Sequence, residues 1–290
     1  MKNKIAIIEF GSNAIRTAEF LIKGKDFEEL MLERIPQRLI QDLGQKRIIN
    51  QETTEKIVQI INNFLEKVPE AQVYAIATAA LRSAENKSEF IDEIKQQTGV
   101  EIEIIPPDQE AYFDFLAVEH KLNLSDLIIA DIGGGSSELI AVTNKEMIGE
   151  TSINFGGVNV TNEFFSNIPV SKPEQQTAKQ KIRKQLEKLT WLKNFNQPMV
   201  MLGGASIVLF KLLNQNDFVP TQEINDKITE LQQLSVNELK ELDVIPPGTV
   251  DVINGGLTIM NEIIEFAQPS KIITIKASVR EGFLLSKIGE

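Results

Sequence analysis

Acidic residues bracket a run of glycines in Ala130–Leu139, which reads ADIGGGSSEL. Three successive glycines let neighbouring backbone N–H groups converge on an anion, and Ser136 and Ser137 add hydroxyl donors. Gly133, Gly134, Gly135, Ser136 and Ser137 are therefore candidate phosphate-binding residues. Asp131 and Glu138 flank the turn, and their hard oxygens suit a Mg²⁺ ion shared with a phosphate. The same pattern stands near the start of the chain, where Ile5–Ala18 reads IAIIEFGSNAIRTA. Laid over Leu127–Ile140, Glu9 falls on Asp131, Gly11 on Gly133, Asn13 on Gly135 and Arg16 on Glu138. Gly11, Ser12 and Asn13 can hydrogen-bond a phosphate, and Arg16 can grip one through two parallel N–H groups. The plain structural alternative for Ala130–Leu139 is a glycine-rich hairpin with solvated acids. A third glycine pair, Gly203-Gly204, opens a helix, and a helix N-terminus is a ready anion site.

Each repeated segment needs a strand, a tight turn and a returning strand to hold it. The first half predicts strands over about Ile5–Phe10, Ala14–Ile22 and Glu28–Ile35. A helix over Gln51–Val68 follows, with Ile57, Ile60, Ile61, Phe64 and Leu65 at helical spacing. Further elements are a strand at Val73–Ala77, a helix at Ser88–Thr98 stopped by Gly99, a strand at Val100–Ile105 and a helix from Asp108 to Lys121. The second half restarts with strands at Leu127–Ile132, Glu138–Thr143 and Glu146–Asn154. Helices at Val158–Phe165 and Lys172–Leu192 precede a strand at Met199–Leu202, a helix from Gly203, and two shorter helices within Gln222–Leu242. A helix over Thr249–Phe266, a strand at Lys271–Ile275 and a helix at Val279–Ile288 complete the set. Two domains are expected, 1–122 and 123–290, with the boundary between the two copies of the repeat.

The chain has 290 residues, no cysteine and a formal net charge of −11. The missing cysteines exclude disulfides, thiolate metal sites and cysteine nucleophiles. The acidic balance argues against general nucleic-acid binding, which needs a basic face. No apolar run is long enough to cross a bilayer, and Glu9 interrupts the first one too early for a signal-peptide core, so the expected compartment is the cytoplasm. A polyanionic ligand needs locally concentrated basic residues. The run Lys172–Lys193 is one candidate, and a solvated helix face is its plainer explanation. The single histidine, His120, receives no catalytic role.

Six segments, taken in order and spacing, resemble the exopolyphosphatase and guanosine pentaphosphate phosphohydrolase family over essentially the whole chain. They are EFGSNAIR at Glu9–Arg16, ATAALRSAEN at Ala77–Asn86, EIEIIPPDQEA at Glu101–Ala111, ADIGGGSSEL at Ala130–Leu139, LGGAS at Leu202–Ser206 and SVREGFL at Ser278–Leu284. That family belongs with actin, Hsp70 and the sugar kinases. The resemblance implies an α/β fold of two actin-like, ribonuclease H-like domains related by duplication, with an interdomain cleft. It implies Mg²⁺-dependent release of terminal phosphate from inorganic polyphosphate or guanosine pentaphosphate. Glu110 matches the family's catalytic glutamate and would join Asp131 and Glu138 around the metal. Arg82 would bind substrate phosphates, beside Gly203 and Gly204. Arg280 is either a phosphate ligand or a structural partner of Glu281. A homodimer is a superfamily-level expectation. The chain departs from the family at Glu9, where aspartate is usual, at Pro106-Pro107, where Ser-Gly is usual, and at Ala205, where threonine is common; Ser206 is the candidate to replace that hydroxyl. These departures keep open a second class of function, a non-hydrolytic regulatory protein that binds polyphosphate or an alarmone nucleotide.

Overall fold

The computed structural model describes residues 3–44, 46–246 and 248–289. The other positions of the two expected domains lie outside the described residues. The chain divides into two compact units, Met1–Phe113 with Val279–Glu290, and Asp114–Ser278.

The first unit opens with three strands, β1 (Lys4–Phe10), β2 (Ile15–Lys23) and β3 (Asp26–Ile35). Short helix α1 (Leu39–Asp42), helix α2 (Gln51–Lys67), strand β4 (Gln72–Ala77), short helix α3 (Ala79–Arg82), helix α4 (Lys87–Thr98) and strand β5 (Ile102–Ile104) follow. The sheet order is β3-β2-β1-β4-β5. The β1–β2 and β2–β3 pairs are antiparallel, and β1–β4 and β4–β5 are parallel. Asn50 caps α2 by accepting from the Thr53 amide at 2.9 Å, and the helix buries Ile57, Ile61 and Phe64 against Ala6, Ile8 and Phe10 of the sheet. Gly99 ends α4 in the left-handed region at φ 74°, a conformation glycine enters at no steric cost.

Helix α5 (Pro107–Lys121) runs from one unit into the other. The second unit then repeats the plan with β6 (Leu127–Ile132), β7 (Ser137–Thr143) and β8 (Glu146–Ile153). Helices α6 (Gly157–Phe164) and α7 (Lys172–Leu186), strand β9 (Met199–Leu202) and helix α8 (Gly204–Leu213) come next. After β10 (Val219–Pro220) come α9 (Thr221–Gln232), α10 (Val236–Glu241), α11 (Ile253–Ala267) and β11 (Lys271–Thr274). The sheet order is β10-β11-β9-β6-β7-β8. Read from β8, this is the first unit's order with β10 added at the edge. The antiparallel triplet and the two parallel pairs recur in the same places. The repeat in the sequence is thus a repeat in topology, and the fold is a duplicated, actin-like α/β architecture. In both units the glycine turn lies beyond the carboxyl end of the strand that heads the parallel pair, where open α/β sheets bind ligands.

Helix α7 stops at Leu186, short of the expected Leu192. The chain leaves the helix and packs Trp191 against Gly149, where a Cβ would lie 2.7 Å from the indole, and it buries Leu192 completely. The basic run on and after α7 is divided. Lys179 and Arg183 pair with Glu262 and Glu265 of α11, while Lys172, Lys181, Lys184, Lys188 and Lys193 are exposed.

The largest departure from expectation is helix α12 (Val279–Gly289), which belongs to the first unit rather than closing the second. Phe283 is 1% exposed and meets Phe113 and Tyr74 edge-on, with ring centroids 5.6 and 5.5 Å apart. Gly282 lies against the Phe113 backbone so closely that any Cβ would overlap its carbonyl. Gly282→Ala should therefore pry α12 from the first unit and cost about 1–3 kcal/mol, the usual penalty for overpacking. Equilibrium urea unfolding of the variant beside the parent measures it.

Candidate active site

In the second unit, Asp131 and Glu138 stand directly opposite each other across β6 and β7. Ser152 on β8 donates its hydroxyl to Glu138 Oε1 at 2.7 Å and fixes that carboxylate. Between the two acids the chain turns tightly, the Gly133 amide donating to the Ser136 carbonyl at 3.0 Å. The carbonyls of Gly133, Gly134 and Gly135 are taken by the start of α6. Gly133 O accepts from the Gly157 amide at 2.9 Å, and Gly134 O from Val158 at 2.9 Å and Asn159 at 3.3 Å. Gly135 O accepts from Asn159 Nδ2 at 2.6 Å. In a trans peptide the C=O and the following N–H point opposite ways. The amides of Gly134, Gly135 and Ser136 therefore all face away from α6, side by side. Three amides turned away from α6 and two carboxylates on the flanking strands are groups that could hold a phosphate and a cation.

Gly156 permits that packing, because a Cβ on it would overlap the Gly134–Gly135 peptide. Gly203 adopts φ +95°, and a Cβ there would overlap the Ile132 carbonyl and lie 3.2 Å from Asp131 Oδ1. Gly204 begins α8 with open space around its Cα. Two hydroxyls from the sequence analysis are spent on the fold. Ser137 is fully buried and donates to the Phe155 carbonyl at 2.6 Å. Ser206 is 1% exposed and bonded to Gly203 O at 2.9 Å and to Thr274 Oγ1 at 3.1 Å, so it does not stand in for the threonine missing at Ala205.

In the first unit the matching turn closes with the Gly11 amide on Ala14 O at 3.1 Å. Ser12 is buried, and its carbonyl accepts from the Ile40 amide at 3.2 Å. Asn13 Oδ1 is buried with no protein partner among the described residues. Glu9 faces Arg16 across β1 and β2. Its Oε1 accepts from Arg16 Nη1 at 2.8 Å and its Oε2 from Arg280 Nη1 at 2.6 Å. Arg280 is thus a partner of Glu9. Burial pushes the Glu9 carboxyl up, but the Arg16 and Arg280 guanidiniums outweigh burial and hold it below the usual glutamate value. With its pKa lowered in the folded state, Glu9 contributes stability that is complete above the ordinary glutamate range and is lost as pH falls through the lowered value. Glu9→Gln should therefore flatten the acid limb of the stability–pH curve, which chemical denaturation at stepped pH records.

Arg82 sits in α3, just past β4. Its Nη1 donates to Glu110 Oε2 at 2.9 Å and to the Ile105 carbonyl at 2.6 Å. Glu110 lies in the first turn of α5 and is 6% exposed, with its amide on Pro106 O at 2.9 Å. Pro106-Pro107 thus leads directly into the helix turn that carries Glu110. The Thr78 amide donates to Phe10 O at 3.3 Å and joins the ends of β1 and β4. The first glycine turn, Arg16, Arg82 and Glu110 therefore lie at the same end of the sheet, by the carboxyl ends of β1, β4 and β5. Among the described residues, no three His, Cys, Asp or Glu side chains are arranged to hold a metal ion. Of the expected set, Asp131 and Glu138 are paired in the second unit, and Glu110 is engaged by Arg82 in the first. Sequence reasoning missed Gly156, Asn159 and Ser152. The Gly156-Gly157 pair before a helix was a visible sign of close approach, but Asn159 and Ser152 carried no local signal.

The chain joins a duplicated α/β fold to a glycine turn at each equivalent strand end. The chain belongs to the Ppx/GppA phosphatase family, whose profile matches residues 22–290. It is similar to a bifunctional 3-dehydroquinate synthase/phosphatase of Fusobacterium nucleatum, 24% identical over 311 residues, covering 98% of this chain and 46% of that protein. The chain thus spans less than half the length of that relative. Among solved structures it resembles the Aquifex aeolicus Ppx/GppA family member with a TM-score of 0.85 and 24% identity, covering 98% of this chain and 97% of that one. An exopolyphosphatase from Cytophaga hutchinsonii gives a TM-score of 0.86 at 19% identity, covering 99% and 98%. No helix among the described residues is long and apolar enough to cross a membrane.

Proposed function

We propose that this protein is a Mg²⁺-dependent hydrolase that releases terminal phosphate from inorganic polyphosphate, with guanosine pentaphosphate as its second substrate. The observation that carries the reading is the set of three amides at Gly134, Gly135 and Ser136, turned away from α6 beside Asp131 and Glu138. Neutral amides and a carboxylate pair suit a phosphate that arrives with a divalent cation better than a bare anion, which the acids would repel. Mg²⁺ typically uses one or two carboxylates together with substrate phosphates and water, so Asp131 and Glu138 suffice as its protein ligands. Bound there, the ion would neutralise phosphate charge. Gly11, Ser12, Asn13, Arg16 and Arg82 would hold phosphate groups from the first unit, and Gly203 and Gly204 from the second. Glu110 would orient a water and take its proton, with Arg82 fixing the carboxylate that does so. Catalysis of this kind is mostly positioning and charge neutralisation.

The test is orthophosphate release from polyphosphate, guanosine pentaphosphate and ATP, each with Mg²⁺ and with chelator. Release from polyphosphate that stops with chelator is expected, and affinity should fall as salt rises because the phosphate contacts are screened. Tight binding of polyphosphate with no release under any condition would replace the hydrolase with a regulatory binder.

A further inference from the structure

Arg280 is held in an unusual way. Its side chain is 5% exposed, its Nη1 reaches Glu9 Oε2 at 2.6 Å, and its Nε is buried with no hydrogen-bond partner among the described residues. The other oxygen of Glu9 receives Arg16 Nη1, and the Arg16 side chain remains 37% exposed. A buried ion pair is weak evidence for stability, because desolvation offsets most of the attraction, and an unsatisfied nitrogen adds to the cost. Two guanidiniums on one buried carboxylate therefore call for another reason.

That reason lies in what the arrangement does to Arg16. Tying down Nη1 leaves the Nε and Nη2 edge of a planar guanidinium, the edge that matches two oxygens of a phosphate. Gly11 lets the tied Nη1 sit close to the turn, since a Cβ there would lie 3.3 Å from it. We infer that Arg280 and Glu9 are positioning residues: Arg280 on α12 holds Glu9, and Glu9 presents the remaining edge of Arg16 to a substrate phosphate. The inference rests on the proposed function for the identity of that anion. It also accounts for glutamate at position 9. Both carboxylate oxygens are engaged, one toward β2 and one toward α12, and a side chain shorter by about a bond length would be withdrawn from both partners, a shift of the size that positioning feels.

A double-mutant cycle tests it, with polyphosphate affinity by titration calorimetry and KM as readouts. Arg16→Met and Arg280→Met should each weaken binding about tenfold, and the double variant should be no weaker than Arg16→Met alone, because coupled residues are non-additive. Losses that multiply in the double variant would show Arg280 acting independently of Arg16 and overturn the inference. So would an Arg280→Met protein that melts lower yet binds as the parent does. If Arg280→Met does not fold, Glu9→Gln takes its place in the same cycle. A parent that binds polyphosphate but releases no phosphate would end the hydrolase reading while leaving the cycle interpretable. A parent that binds none would overturn both.

Discussion

Glu110→Gln is expected to lower phosphate release by about 10²–10⁴-fold, the usual worth of a positioned general base. The amide oxygen can still accept from Arg82 Nη1, as Glu110 Oε2 does at 2.9 Å, so the side chain should keep its place. What it loses is the ability to take a proton from water. Polyphosphate affinity should hold or rise, since a negative charge near the phosphates is removed. Single-turnover rates and binding, measured on the same preparation, separate these effects. Near-parental turnover would take Glu110 out of the mechanism. A loss of binding equal to the loss of rate would instead mean that Glu110 serves only to hold Arg82.

The second large effect is expected at a residue that touches no substrate. Gly156→Ala places a methyl where the Gly134–Gly135 peptide now lies, and neither is the end of a flexible side chain. The turn must move away from α6, and the amides of Gly134, Gly135 and Ser136 move with it. A displacement near 1 Å at a catalytic contact costs about 10²-fold in rate. We therefore expect kcat/KM to fall by about that factor while far-UV circular dichroism stays that of the parent. Parental kcat/KM would mean that the turn relaxes without losing its donors.

Much of the architecture was legible because its signals are local. The two hairpins announce themselves by an apolar run, an acid and a glycine turn, and both triplets of strands fall close to where the sequence pattern places them. The carboxylate pair Asp131/Glu138 was legible for the same reason, since a short turn of known length sets its register. What escaped were contacts between segments distant in the chain. Arg280 and Glu9 are 271 positions apart, and nothing around SVREG distinguishes a partner for Glu9 from one for Glu281. Ser137 reads as a phosphate donor by position, but β7 turns its hydroxyl to the Phe155 carbonyl. The end of α7 was misjudged because helical spacing continues through Leu189 and Leu192. The packing of Trp191 on Gly149, which decides the matter, leaves no periodic trace.

The return of α12 to the first unit gives the molecule an order of birth. A ribosome releases the hairpin bearing Glu9 and Arg16 early, and it completes the whole of Asp114–Ser278 before α12 is made. At about 5–20 residues per second, the interval between Glu9 and Arg280 is on the order of tens of seconds. Throughout that time the nascent amino-terminal sheet lacks the aromatic plug of Phe283 and the guanidinium that seats Glu9. The stretch Asp114–Ser278 can mature as it is made, whereas the residues before it must wait for those after it. A premature stop after Ser278 would thus damage the unit whose sheet was synthesised before the other.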